Sequence, residues 1–171
     1  MKKKSEKTGY IYIFTNPSFP EYVKIGYADD AKERLKTLNS SSAVPFAFRA
    51  YATYEVDHKL EDNKIHKIID TINPELRSID DVNGKKRKRE FFQMSKEQAY
   101  TLFECIAEIS GTKDRLHLVK ATENDIKAEV EASEIREMSV NRHHFKNIEF
   151  YSSLTNKYYY TRTSKQGTWS V

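Results

Sequence analysis

Tyr12, Lys24, Gly26 and Arg34 place a phenol, an amine, a bare backbone position and a guanidinium in one short stretch. If Ile11 and Ile13 of one strand bury with Val23 and Ile25 of the next, alternation puts Tyr12 and Lys24 together on the opposite face. Gly26 shares the face of Lys24 and leaves room for a backbone or a phosphate to approach. Arg34 falls on the Ala31 and Leu38 side of a following helix, so it must snorkel outward or point into a cleft. Further along, Asp62 and His66 are four apart and share a helix face, while Glu61 points about 100° away. Each residue also has an ordinary reading. Tyr12 is then a strand aromatic, Lys24 a solvated lysine, Asp62 a complement to a helix dipole and His66 a satisfied buried histidine. Lys85, Lys86, Arg87, Lys88 and Arg89 form a basic run. Such runs are usually solvated, but beside a phosphate site this one would contact a nucleic-acid backbone and add salt dependence. Glu90 reads as a structural residue, not a ligand.

The elements that must position these groups follow from pattern. Residues 10–15 and 22–27 are aromatic and β-branched, separated by Asn16-Pro17-Ser18-Phe19-Pro20, and read as a hairpin with a longish loop. Asp30-x-x-Glu33 opens a helix to about Asn39, with Ala31, Leu35 and Leu38 as its stripe. Residues 46–56 carry the longest strand signal. A helix over about 58–72 has Ile65, Ile68, Ile69 and Ile72 at helical spacing. Residues 73–88 read as a polar, charged loop, and Glu90 to Phe92 as a short strand. Ser95-x-x-Gln98 caps a helix bearing Ala99, Leu102, Phe103 and Ile106, closed by Gly111. A charged helix over about 122–138 and a hairpin in 145–171 follow. The expected fold is α+β, a small three-stranded antiparallel sheet flanked by helices, with a helical and β-hairpin C-terminal extension. The expected units are a basic arm over 1–8, a domain over 9–111 and an extension over 112–171.

The 171 residues carry 29 Lys and Arg against 25 Asp and Glu, a formal charge of +4. This mild excess permits nucleic-acid binding without requiring it. Cys105 is the single cysteine, which excludes an intrachain disulfide and a cysteine zinc site; core filler is its expected role. No apolar run approaches membrane-spanning length, and none follows the basic start, so no membrane association and a cytoplasmic location are expected.

Tyr10-Ile11-Tyr12, Lys24-Ile25-Gly26 and Arg34-Leu35, with eight residues from Gly26 to Arg34, resemble the signature strands and arginine helix of the GIY-YIG nuclease superfamily. Val44-Pro45-Phe46, His66 and Arg89-Glu90-Phe91-Phe92 narrow the resemblance to its phage-type branch, often labelled a bacteriophage DNA-binding domain, over about residues 9–110. The resemblance implies a metal-dependent endonuclease hydrolysing phosphodiester bonds, with DNA the first expected partner and RNA the second. It implies Tyr12 as base on the attacking water, Arg34 on the phosphate and His66 on the site helix. Asp62 or Glu61 would bind Mg²⁺ or Mn²⁺. Gly26 and the basic run 85–89 would lie along the nucleic acid. A free tyrosine ionises near pH 10, too high for a base at neutral pH unless a cation favours the phenolate. Lys24 would supply that cation or contact the scissile phosphate. Lys24 stands where most members carry a second tyrosine, and Asp62 is one methylene shorter than the usual Glu. Both keep open the alternative of a DNA-binding module with a weakened or inactive site.

Overall fold

The computed structural model describes residues 8–42, 44–57, 61–145, 149–152 and 157–160; the side chains of 61, 62 and 140–160 lie outside that description. Two strands open the chain, β1 (Gly9–Thr15) and β2 (Tyr22–Ala28). Their turn is tied by Asn16, whose Oδ1 accepts from Ser18 N at 2.8 Å while its carbonyl accepts from Phe19 N at 3.1 Å. Helix α1 (Ala31–Asn39) starts where Asp30 accepts from the Lys32 and Glu33 amides, filling donors that the first turn leaves unpaired. Strand β3 (Arg49–Val56) and helix α2 (Glu61–Ile72) follow. Next come β4 (Arg77–Val82), β5 (Lys85–Gln93), α3 (Lys96–Ile109), β6 (Leu116–Leu118), α4 (Glu123–Phe145), β7 (Glu149–Ser152) and β8 (Lys157–Tyr160). Ser95 and Gln98 close a full capping box at the start of α3.

The main sheet has six strands in the order β4-β5-β2-β1-β3-β6, every pair antiparallel. The expected three-stranded sheet is thus corrected to six strands, with four α-helices among the described residues. The expected loop over 73–88 is a hairpin instead. Asn83 (φ 56°) and Gly84 (φ 74°) form its two-residue turn, with Val82 facing Lys85. Two successive positive φ values match the right-handed twist of the flanking strands, which is why Asn-Gly is favoured there. Strands β4 and β5 lack an apolar alternation over most of their length, so periodicity does not reveal them. Strand β6 is three residues long and hydrogen-bonds to Ala52–Tyr54 of β3.

The central strand β1 is buried on both faces. Ile11 and Ile13 pack with Val23, Ile25, Ile65, Ile69, Phe92 and Phe103, under α2 and α3. Tyr12 and Phe14 pack with Phe48, and around them lie Phe19, Leu35, Leu38 and Phe91. Of the α2 stripe, Ile65 and Ile69 are buried, while Ile72 is 73 % exposed. Cys105 is exposed on α3 and is not core filler, because Ala99, Phe103 and Ala107 define the inward face of that helix.

Contacts divide the chain into two compact units, Met1–Ala128 and Glu129–Val171. The first holds the six-stranded sheet. The second holds the rest of α4 and an antiparallel pair in which Glu149 faces Tyr160. Among the described residues, no helix is long and apolar enough to cross a membrane.

Candidate functional site

The site forms where β1, β2, α1 and β5 meet on the Tyr12 face of the sheet. Tyr12 and Gly26 are direct cross-strand partners, as are Phe14 and Lys24. Tyr12 stacks on Phe14 with ring centroids 3.9 Å apart. Its hydroxyl lies over Gly26, where an added Cβ would meet that oxygen at 2.6 Å and Glu90 Oε2 at 3.1 Å. The space above Gly26 therefore holds the phenol end of Tyr12 itself. Tyr12 and Lys24 share the face expected of them, but they do not project: they are 1 % and 7 % exposed.

Arg34 reaches back from α1 and its Nε donates to Tyr12 Oη at 3.5 Å. That bond, foremost, holds the guanidinium above its ordinary pKa. A cation facing the phenolic oxygen favours negative charge there. Sequence alone points to Lys24 for this position, but the Lys24 ammonium goes to Glu90 Oε2 at 2.5 Å and sits 5.1 Å from the Phe91 ring centre. Strand alternation does not lead to Glu90. Phe91 lies opposite Lys24 and Phe92 opposite Val23, so regular pleating would turn Glu90 to the other face. The β4–β5 register shifts between Arg77, opposite Phe92, and Ile79, opposite Lys88. This irregularity brackets Glu90, and a bulge of that kind re-aims side chains. Burial pushes the Glu90 carboxyl up, but the hydrogen bond and charge of Lys24 bring it below its ordinary value.

His66 is 4 % exposed and packs against Phe92. Its Nε2 lies 2.9 Å from the Ile25 carbonyl, and its Nδ1 is 3.4 Å from an Arg77 nitrogen. A carbonyl only accepts and a guanidinium only donates, so the tautomer with the proton on Nε2 satisfies both. His66 thereby anchors α2 to β2, on the side of the sheet that holds Phe92. Arg77, Asp70 and Lys88 form a further cluster. Asp70 Oδ2 accepts from Arg77 at 3.0 Å and Lys88 at 2.9 Å, and Arg77 Nε donates to the Arg89 carbonyl at 2.8 Å. Of the basic run, Lys88 pairs with Asp70 and Arg89 with Asp80. Lys85, Lys86 and Arg87 are exposed along β5.

Mg²⁺ keeps several waters and takes one or two carboxylates. Glu90, with 41 % of its side chain exposed, offers one and fits that minimum. Among the described residues, no group of three or more His, Cys, Asp or Glu could hold a metal ion. Glu61 and Asp62 belong to the first turn of α2, and their side chains lie outside the described residues.

The fold and the site define an α+β domain carrying a half-buried Tyr–Arg–Lys–Glu cluster. The chain belongs to the T5orf172 domain family, whose model matches residues 9–107. This is a different family from the GIY-YIG nucleases and corrects the resemblance read from the motifs. The T5orf172 domain is phage-associated and compatible with nuclease or DNA-binding roles. No curated protein and no solved structure matches the chain.

Proposed function

We propose that the Tyr12–Arg34 site hydrolyses phosphodiester bonds in nucleic acid, with DNA the first substrate. The observation that carries this reading is the contact of the Tyr12 hydroxyl with Arg34 directly above Gly26, beside the Lys24–Glu90 pair. Tyr12, stacked on Phe14, acts as its phenolate, the form that the facing Arg34 cation favours. It takes a proton from the attacking water as the water oxygen bonds to phosphorus. The P–O bond to the leaving strand breaks, and the leaving oxygen takes a proton from solvent. Arg34 is half-buried and permanently charged; its planar fork suits the phosphoryl oxygens as negative charge builds on them. Lys24 and Glu90 neutralise each other, so Arg34 carries the net positive charge of the site. A bound Mg²⁺ or Mn²⁺ would supply Lewis-acid polarisation of a phosphoryl oxygen, and Glu90 is the described residue that would hold it.

Plasmid nicking in Mg²⁺ or Mn²⁺ tests the reading. Tyr12→Phe keeps the buried ring and removes only the hydroxyl, so nicking should fall about 100-fold or more. Arg34→Ala should lower it about 100-fold to 1000-fold. DNA binding by Tyr12→Phe should stay within about twofold of the parent, since the variant keeps the ring and the Arg34 cation. Unchanged nicking in Tyr12→Phe, or none by the parent protein in either metal, would sink the hydrolytic reading. The second reading, a binding module, is favoured by one feature: Lys24 already neutralises the carboxylate that a metal would need.

A further inference from the structure

We propose that the β4–β5 hairpin is a DNA-binding ribbon that lies in the major groove of a duplex while a backbone phosphate of that duplex meets Arg34 at the Tyr12 site. The inference rests on the proposed phosphate site for the docking point and on the hairpin itself for the partner. Strand β5 pairs with β2 only through Phe91, Phe92 and Gln93. From Lys85 to Lys88 its sheet partner is β4 alone, so this part is a two-stranded ribbon beyond the sheet. Residues 77–89 hold six cations and two carboxylates. That excess of four equals the formal charge of the whole chain, +4, and the remainder of the protein is balanced. The positive field is therefore concentrated on one projecting element.

The two carboxylates leave cations to spare. Asp80 faces Arg87 across the strands and pairs with Arg89, and Asp81 faces Lys86. Among the described residues, Lys85, Lys86 and Arg87 have no ion-pair partner and are exposed. Reach and width also fit. Five strand residues separate Lys85 from Glu90, about 17 Å at the usual strand rise. The major groove of B-DNA is about 12 Å wide and admits a two-stranded ribbon. A phosphate on one lip of the groove can thus meet Arg34 while the ribbon tip crosses toward the other lip. A-form RNA has a deep, narrow major groove that excludes such an element, so the partner assigned is duplex DNA.

The triple variant Lys85→Ala, Lys86→Ala, Arg87→Ala tests this in the full chain, because none of the three positions touches the core. Affinity for a 20-base-pair DNA duplex, for one of its strands and for the matching RNA duplex is measured across salt. Hydrolysis of bis(4-nitrophenyl) phosphate is followed alongside. The variant should lose at least tenfold in duplex DNA affinity, and its log–log salt slope should shrink by about 2 to 3. Single-strand and RNA-duplex affinity should change less than threefold, and small-diester hydrolysis should be unchanged. The charge-keeping variant Lys85→Arg, Lys86→Arg should bind duplex DNA as the parent does. Unchanged duplex affinity in the triple variant, or equal losses on all three nucleic acids, would overturn the ribbon. Absence of small-diester hydrolysis in the parent, with ribbon-dependent duplex binding intact, would overturn the proposed chemistry and leave the ribbon standing.

Discussion

Gly26 and Tyr12 are packed directly against each other. A Cβ on Gly26 would stand 2.6 Å from Tyr12 Oη and 2.9 Å from its Cζ. The ring has little freedom to yield, because it is 1 % exposed and stacked on Phe14. Gly26→Ala should therefore push the hydroxyl away from Arg34. Overpacking of this kind costs about 1–3 kcal/mol, and misplacing a reacting group by an ångström is worth about 100-fold in rate. Denaturant midpoints and diester cleavage measured together would show both effects. Full activity in Gly26→Ala would mean that the Tyr12 oxygen does not need its present position. Lys24 carries a related lesson. Its type and strand face are readable from sequence, yet its partner is 66 residues away and reaches it through a local irregularity in β5.

At the scale of elements, the ribbon is held to the body by Arg77. This side chain is 13 % exposed; it donates to Asp70 on α2 and to the Arg89 carbonyl on β5, and its guanidinium sits 5.3 Å from the Phe92 ring centre. Asp70 carries the opposing charge, and its Oδ1 is buried with no hydrogen-bond partner among the described residues. Asp70→Asn leaves Arg77 buried beside a neutral group. Breaking a buried pair from one side costs about 3–5 kcal/mol. Because both partners retain some exposure, about 2 kcal/mol is expected, read as a lowered denaturant midpoint. If the ribbon is anchored here, Asp70→Asn should also weaken duplex DNA binding; a midpoint unchanged to within about 0.5 kcal/mol would mean that Arg77 has other anchors that suffice. The element itself was open to recognition beforehand, since Asn83-Gly84 is a strong short-range hairpin signal. It is easily passed over because its flanks are charged rather than alternating.

Over the whole molecule, acid stability follows from three carboxyls. Burial alone would raise Glu90, Asp70 and Asp125. All three are nevertheless held below their ordinary values: Glu90 by Lys24, Asp70 by Lys88 and Arg77, and Asp125 by hydrogen bonds from Thr122 and by Arg49. A depressed folded-state value means that the unfolded chain binds protons more readily. The stabilisation is then fully present above the unfolded-state values of about 4 and is lost as pH falls through the folded-state values. Unfolding midpoints should hold from pH 7 to about 5 and decline below about 4. Glu90→Gln should close part of its gap to the parent protein as the pH is lowered; a gap that widens on acidification would contradict the assigned sign.

The alternation that sets Tyr12 and Lys24 on one face, the Asp30 and Ser95 caps, and the apolar stripe of α3 were all legible in the sequence, because each depends on neighbours a few residues away. The motifs also singled out Tyr12, Lys24 and Arg34, although the family they suggested was not the one to which the chain belongs. Tertiary structure decided the rest. It buried Lys24 instead of solvating it, made Arg34 the cation that donates to the Tyr12 oxygen, and took His66 for an anchor between α2 and β2. It brought Glu90 into the site through a shift in strand register, and it turned a charged stretch into a ribbon by pairing it with β4. These outcomes depend on contacts between segments far apart in the chain, and an irregularity in strand pairing re-aims the side chains within it.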